Sequence, residues 1–156
     1  MFEQDLKYAE IGEMVAWNLL SKNPSIVQVL DVRHEPKFQK MDVDFIAITH
    51  TKNYVFVEVK TDEKAHESGN IVYEISSNGN LGCFARTDAD YVYYYVRQTG
   101  DCHLINVRAL RDYIDMNRLE VKKMGDGAQG FLIPIKTLIS KGIIVKTERM
   151  ELNGRT

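Results

Sequence analysis

Apolar residues recur along the chain in two periods, and the change from one to the other marks the elements. From Gln4 to Lys22 the spacing is helical, and Asn23-Pro24 supplies the stop. SIVQVLDVR (25–33) reads as a strand, followed by the polar stretch HEPKFQK. DVDFIAITH (42–50) and NYVFVEVK (53–60) read as two strands joined by the turn Thr51-Lys52-Asn53, a hairpin. A charged loop, TDEKAHESGN, leads into a strand, IVYEISS (71–77), and NGNLG reads as a turn. YVYYYV (91–96) and CHLINV (102–107) pair across RQTGD as a second hairpin. RALRDYIDM predicts a short helix and GDGAQG a loop; FLIPI, KTLIS and GIIVK close the chain as strand, short helix and strand. This order predicts an α/β fold, a mixed β-sheet flanked by helices, in one domain over residues 1–156.

Composition narrows the class. With 156 residues, 44% hydrophobic and 27% charged, the chain falls among globular proteins with room for one core. No apolar run is long enough for a bilayer, and MFEQDLKYAE lacks the basic-then-apolar order of a signal peptide. Cys83 and Cys102 form no CxxC pair, and His34, His50, His66 and His103 are scattered, so no structural zinc site is expected and a reducing cytoplasm is the expected compartment. The net charge of −2 does not advertise nucleic-acid binding, but it is uneven: residues 1–96 hold 9 Lys+Arg against 15 Asp+Glu, and residues 97–156 hold 11 against 7.

Acid-x-Lys triplets include Glu35-Pro-Lys37, Glu58-Val-Lys60, Asp62-Glu-Lys64 and Glu120-Val-Lys122. Of these, Glu58 and Lys60 end a long apolar strand, on the face they share with Tyr54 and Phe56. Asp44 opens the preceding strand on an otherwise apolar face. The start of one hairpin strand lies opposite the end of the next, so Asp44 should meet Glu58 or Lys60. A buried carboxylate there needs a partner. Asp42, two residues earlier on the same face, is its rival.

At about 100° per residue, Ala16, Ala9, Leu20, Leu6 and Trp17 of the first helix fall in one arc. Glu13 lies in the middle of that arc and Glu10 at its edge. A glutamate so placed is either paired with Lys60 or an arginine, or recruited to a site. Glu13, Asp44 and Glu58 supply hard oxygen donors of the kind Mg²⁺ takes, and Lys60 supplies a cation beside them.

With these residues the chain resembles the PD-(D/E)XK nuclease superfamily and its restriction-endonuclease-like core. The family pattern of a helix acid, a strand-opening Asp and a strand-ending acid-x-Lys maps onto Glu13, Asp44, Glu58 and Lys60. The helix-and-hairpin layout is similar to that of archaeal Holliday-junction resolvases and small phage-encoded nucleases, and SGNIVYEISSNGNLGCFARTDADYVYYYV resembles the phage-type members. Met41 stands where a proline can precede the first acid. The resemblance implies Mg²⁺-dependent hydrolysis of DNA phosphodiesters, with Mn²⁺ as a substitute. Glu13, Asp44, Glu58 and the Val59 carbonyl would hold the metal, Lys60 would serve the attacking water, and the working form would be a homodimer.

Rival readings are a catalytically inactive nuclease-fold binding module and another phosphotransfer or nucleotide-hydrolysing enzyme. Glu74 is a candidate for an extra metal contact or an arginine partner. Tyr91, Tyr93 and Tyr95 share a strand face, as a core stripe or a base-stacking platform. Arg86, Arg97, Arg108, Arg111, Lys122 and Lys123 are candidate phosphate contacts or a solvated surface. GDGAQG lacks the Lys-Ser/Thr of a phosphate loop and reads as a turn.

Overall fold

The structure, a computed structural model, describes residues 2–150, without the side chains of residues 2–6 and 126. In chain order its elements are α1 (Phe2–Lys22), β1 (Ile26–Asp31), α2 (Pro36–Lys40), β2 (Phe45–Thr49), β3 (Tyr54–Asp62), α3 (Ala65–Ser68), β4 (Asn70–Ser77), β5 (Asn80–Leu81), α4 (Cys83–Arg86), β6 (Tyr91–Val96), β7 (Asp101–Asn106), α5 (Val107–Asn117), β8 (Lys122–Lys123), β9 (Ala128–Pro134), α6 (Ile135–Ser140) and β10 (Ile144–Arg149). No described helix is long and apolar enough to cross a membrane.

The main sheet has six strands in the order β1-β2-β3-β6-β7-β10. Its pairings are antiparallel except β3 with β6, which is parallel. Both expected hairpins form. Lys52 takes a left-handed φ of 62° in the first turn, and Gly100 takes 75° in the second.

One sheet face is covered by α1. Val15, Ala16, Leu19 and Leu20 pack there against Phe45, Ala47, Val57, Tyr93, Tyr95 and Cys102. Tyr93 and Tyr95 are therefore core, and that part of the tyrosine stripe offers no stacking platform. The opposite face, with Val92, Tyr94, Val96 and Ile105, packs on Ile71, Tyr73 and Ile133, with α4, α5 and α6 completing the layer.

Three sequence expectations differ from the fold. IVYEISS does not join the main sheet. It is β4 of a second, four-stranded sheet, β5-β4-β9-β8, paired edge to edge with β9 so that Ile71 lies beside Ile133 and Tyr73 beside Phe131. HEPKFQK contains α2, with Pro36 in the first turn where its missing N–H costs nothing. TDEKAHESGN is no plain loop: β3 runs on to Asp62, and α3 follows. Asp62 fixes that junction by accepting from the Lys64 and Ala65 N–H groups (2.6 Å each) and from the Tyr94 hydroxyl.

The phase of α1 also differs. Its buried stripe runs through Gly12, Val15, Ala16, Leu19 and Leu20, while Ala9 is exposed and Trp17 is 36% exposed. Leu6 lies outside the described side chains. Glu13 consequently sits at the edge of the stripe rather than in its middle. The sheet selected a contiguous set of small and aliphatic residues that a wheel anchored on Leu6 does not rank first.

Close backbone approach seats α4. A Cβ at Gly82 would lie 2.3 Å from the Glu74 carbonyl oxygen, and the Gly82 N–H donates to the Ile75 carbonyl at 2.7 Å. Gly82→Ala should therefore force α4 off β4 and destabilise the protein by about 1–3 kcal/mol, the usual cost of overpacking. Denaturant titration of the two proteins checks this; unchanged stability would show that α4 is not seated by this contact.

Candidate active site

The hairpin register places the two central acids. Phe45 faces Val57, Ile46 faces Phe56 and Ala47 faces Val55. One further step in this register sets Asp44 opposite Glu58. Beyond that point β3 outruns β2: residues 58–62 have β6 along one edge, in the register Glu58↔Val92 to Asp62↔Val96, and no strand of the described residues along the other.

Asp44 covers the start of that open edge. Its N–H donates to the Val57 carbonyl (2.9 Å), and its Oδ2 accepts the Val59 N–H (2.8 Å). A residue's N–H and C=O leave a strand on the same edge. The Val59 carbonyl therefore points the same way, past the first residue of β2.

Glu58, Val59 and Lys60 line a cleft of about 450 Å³ with Tyr8, Ala9, Asp42, Thr61, Glu63, Cys83 and Arg86. Burial, and then the neighbouring Asp44 carboxylate, push Glu58 up to about 9. The Cys83 thiol, which donates to Glu58 Oε1 at 3.4 Å, and the Lys60 ammonium pull the other way. Burial likewise pushes Asp44 up to about 6, Glu13 adds to this, and the Val59 N–H and Arg33 oppose it. Cys83 is itself pushed up to about 12, by burial first and by Glu58 second, so it stands as a neutral donor.

Glu13 lines a separate cleft with Asp31, Arg33 and Phe45. It accepts from Arg33 Nη1 at 2.5 Å, and Arg33 also forks onto Asp31 (2.9 and 2.6 Å) and lies over the Phe45 ring. Of the partners expected for Glu13, the structure selects an arginine and not Lys60. Glu10 is exposed beside Glu13. Asp42, at a left-handed φ of 48°, is held by Arg86 through two hydrogen bonds (2.5 and 2.9 Å).

The structure thus brings Asp44, Glu58 and Lys60 together and turns Glu13 and Asp42 toward arginines. Glu74, on β4, lies opposite Gly130 and is not among the cleft residues. Among the described residues no group of three or more His, Cys, Asp and Glu side chains is arranged to hold a metal ion. Two carboxylates and a carbonyl still fit Mg²⁺, which takes one or two carboxylates and keeps several waters. The raised Asp44 and Glu58 are consistent with that fit: they are adjoining, half-buried acids with little positive charge beside them.

Arg33 and Cys83 were not singled out in the sequence. Arg33 ends a strand-like run, and Cys83 opens the short helix α4, 25 residues from Glu58. Neither carries a local signal of its partner.

Both raised acids bind protons more tightly in the folded chain than in the unfolded one, where carboxyls titrate near 4. Metal-free stability should therefore fall as pH rises from about 4 to 9, since the folded state holds more protons throughout that window. Glu58→Gln removes most of that loss. It should raise the melting temperature at pH 8 by roughly 2–8 °C and leave it nearly unchanged at pH 4.5. Thermal melts in chelator at both pH values test this; a lowered melting point at pH 8 would contradict it.

Neither a protein-family profile nor a curated protein sequence matches the chain. Among solved structures it is similar to a bacterial homing endonuclease, I-Ssp6803I, at 13% identity and a TM-score of 0.49, over 96% of this chain and 81% of that one.

Proposed function

We propose that the protein is a metal-dependent deoxyribonuclease of the PD-(D/E)XK kind, acting with Mg²⁺ or Mn²⁺. The observation that carries this reading is the juxtaposition of Asp44 and Glu58 across the hairpin mouth, with Lys60 in the same cleft as Glu58. Asp44, Glu58 and the Val59 carbonyl would hold the divalent ion, which would supply a water of lowered pKa and Lewis-acid polarisation of a phosphodiester.

The chain supplies the remainder. Asp44 and Glu58 give the charged ligands and the Val59 carbonyl a neutral one. Asp44 is fixed for this role because its second contact, the Val59 N–H, locks its carboxylate along the strand edge. Lys60 lies two residues beyond Glu58 on the same strand face. Its ammonium orients the attacking water and balances the charge that builds on the phosphate. Glu13 would be a further ligand if released by Arg33, which would still hold its other carboxylate, Asp31.

One observation favours a second reading, a catalytically inactive module: Glu13 and Asp42 are already satisfied by arginines. Melting with Mn²⁺ separates the two, since a dead module gains no stability from the ion.

The chemical role of Lys60 gives the sharpest test. Lys60→Ala should lower turnover on DNA by about two to four orders of magnitude, the range of a positioned catalytic group, with DNA affinity in Ca²⁺ changed far less. Lys60→Arg should not restore it, because a guanidinium is broader and keeps its proton. Cleavage rates on linear, circular, single-stranded and branched DNA at saturating metal check this. Near-wild-type rates for Lys60→Ala would remove this lysine from the mechanism.

A further inference from the structure

The cleft that holds Glu58 and Lys60 has a second charged feature, the Asp42–Arg86 pair on its rim. Arg86 Nε and Nη2 grip the two oxygens of Asp42 at 2.5 and 2.9 Å, the planar two-point geometry by which a guanidinium also grips a phosphate. The two sides of the pair differ in exposure: the Arg86 side chain is 49% exposed and that of Asp42 13%. Arg86 therefore stands open to solvent at the cleft while its carboxylate is tucked in.

Asp42 is presented by an unusual backbone. Its φ of 48° is uncommon for a residue with a side chain, and its carbonyl accepts the buried Thr87 hydroxyl at 2.7 Å. Thr87 follows directly after α4, which ends in Arg86, so one hydrogen bond ties the carboxylate's backbone to the guanidinium's helix. Gly82 seats the other end of that helix against β4. Both partners are thus held at fixed positions beside the cleft, independently of the bond between them.

We propose that Arg86 is a phosphate clamp for the nucleic-acid backbone, and that Asp42 occupies it as an internal phosphate mimic in the free protein. This rests on the nuclease reading for its substrate. An incoming phosphodiester oxygen pair takes the fork that Asp42 holds, and Asp42 turns to solvent. Removing Asp42's charge should then help DNA binding, and removing Arg86 should harm it. A purely structural ion pair predicts that the two changes act in the same direction.

The experiment is fluorescence anisotropy of a labelled oligonucleotide, single-stranded and duplex, with wild type, Arg86→Ala, Asp42→Asn and Arg86→Lys in Ca²⁺ at several salt concentrations. Thermal melts with and without Mn²⁺ accompany it. Arg86→Ala should weaken binding about 5- to 20-fold and reduce the salt slope by about one phosphate contact, with Arg86→Lys recovering only part. Asp42→Asn should tighten binding about 3- to 10-fold, since one nearby negative charge is removed. The Mn²⁺-dependent rise in melting temperature should persist in all three variants.

Loss of affinity in both Arg86→Ala and Asp42→Asn, or no change in either, overturns the clamp. Loss of the Mn²⁺ response in Asp42→Asn also overturns it, by making Asp42 a metal ligand. No binding of DNA by the wild type overturns it as well. If opposite shifts appear without any Mn²⁺ response or cleavage, the clamp stands and the nuclease reading falls. If wild type cleaves DNA and the opposite shifts are absent, the reverse holds.

Discussion

Everything at the candidate site depends on two carboxylates set side by side with too little positive charge to satisfy both. Asp44 and Glu58 face each other because the hairpin register leaves no other position for them. Each is buried enough to hold its proton well above the ordinary range. In a domain with marginal stability, such an arrangement costs free energy unless something else enters the site. Lys60, Cys83 and Arg33 moderate the strain from three directions without removing it.

The fold turns this conflict into a cleft. β3 is longer than its hairpin partner, so its last residues are paired on one edge alone, along β6. Asp44 uses its side chain to continue the ladder for one step, through the Val59 N–H, and past that step the edge stays open. α1 lies along one side and contributes Tyr8 and Ala9 to the wall, while α4 contributes Cys83 and Arg86 from the other. The second sheet matters here as a platform, since α4 rests on β4 through Gly82. A buried layer of Tyr73, Phe84 and Tyr94, stacked in sequence, ties that platform to the main sheet.

How much of this could be read from the sequence follows from how local each signal is. The two hairpins, their strands and the meeting of Asp44 with the Glu58–Lys60 end of the next strand depend on alternation and short turns, and these are legible in the sequence; the register then selects Glu58. That the tyrosines of β6 point into the core follows from strand alternation only once the neighbouring layer is known. The phase of α1 is not legible, because Ala9, Trp17 and Leu6 are as apolar as the residues the sheet selects, so composition alone does not rank the faces. That β4 belongs to a second sheet is not legible, because alternation marks a strand without stating which strand pairs with it. Arg33 and Cys83 carry no site signal in the sequence, and Asp42 and Arg86, each a candidate by itself, carry no sign of their pairing: each contact spans 20 to 44 residues and leaves no periodic trace.

The most direct test of the central claim, that the Asp44–Glu58 pair is a divalent cation site, is the proton balance of metal binding. Titration calorimetry with Mn²⁺ at pH 7, repeated in two buffers of different ionisation enthalpy, reads it. A group held near 9 is protonated at that pH and one held near 6 is mostly ionised. Saturable binding should therefore release about one proton per ion, and Glu58→Gln should abolish the release. Absence of binding at millimolar metal, or binding that releases no proton, would contradict the account.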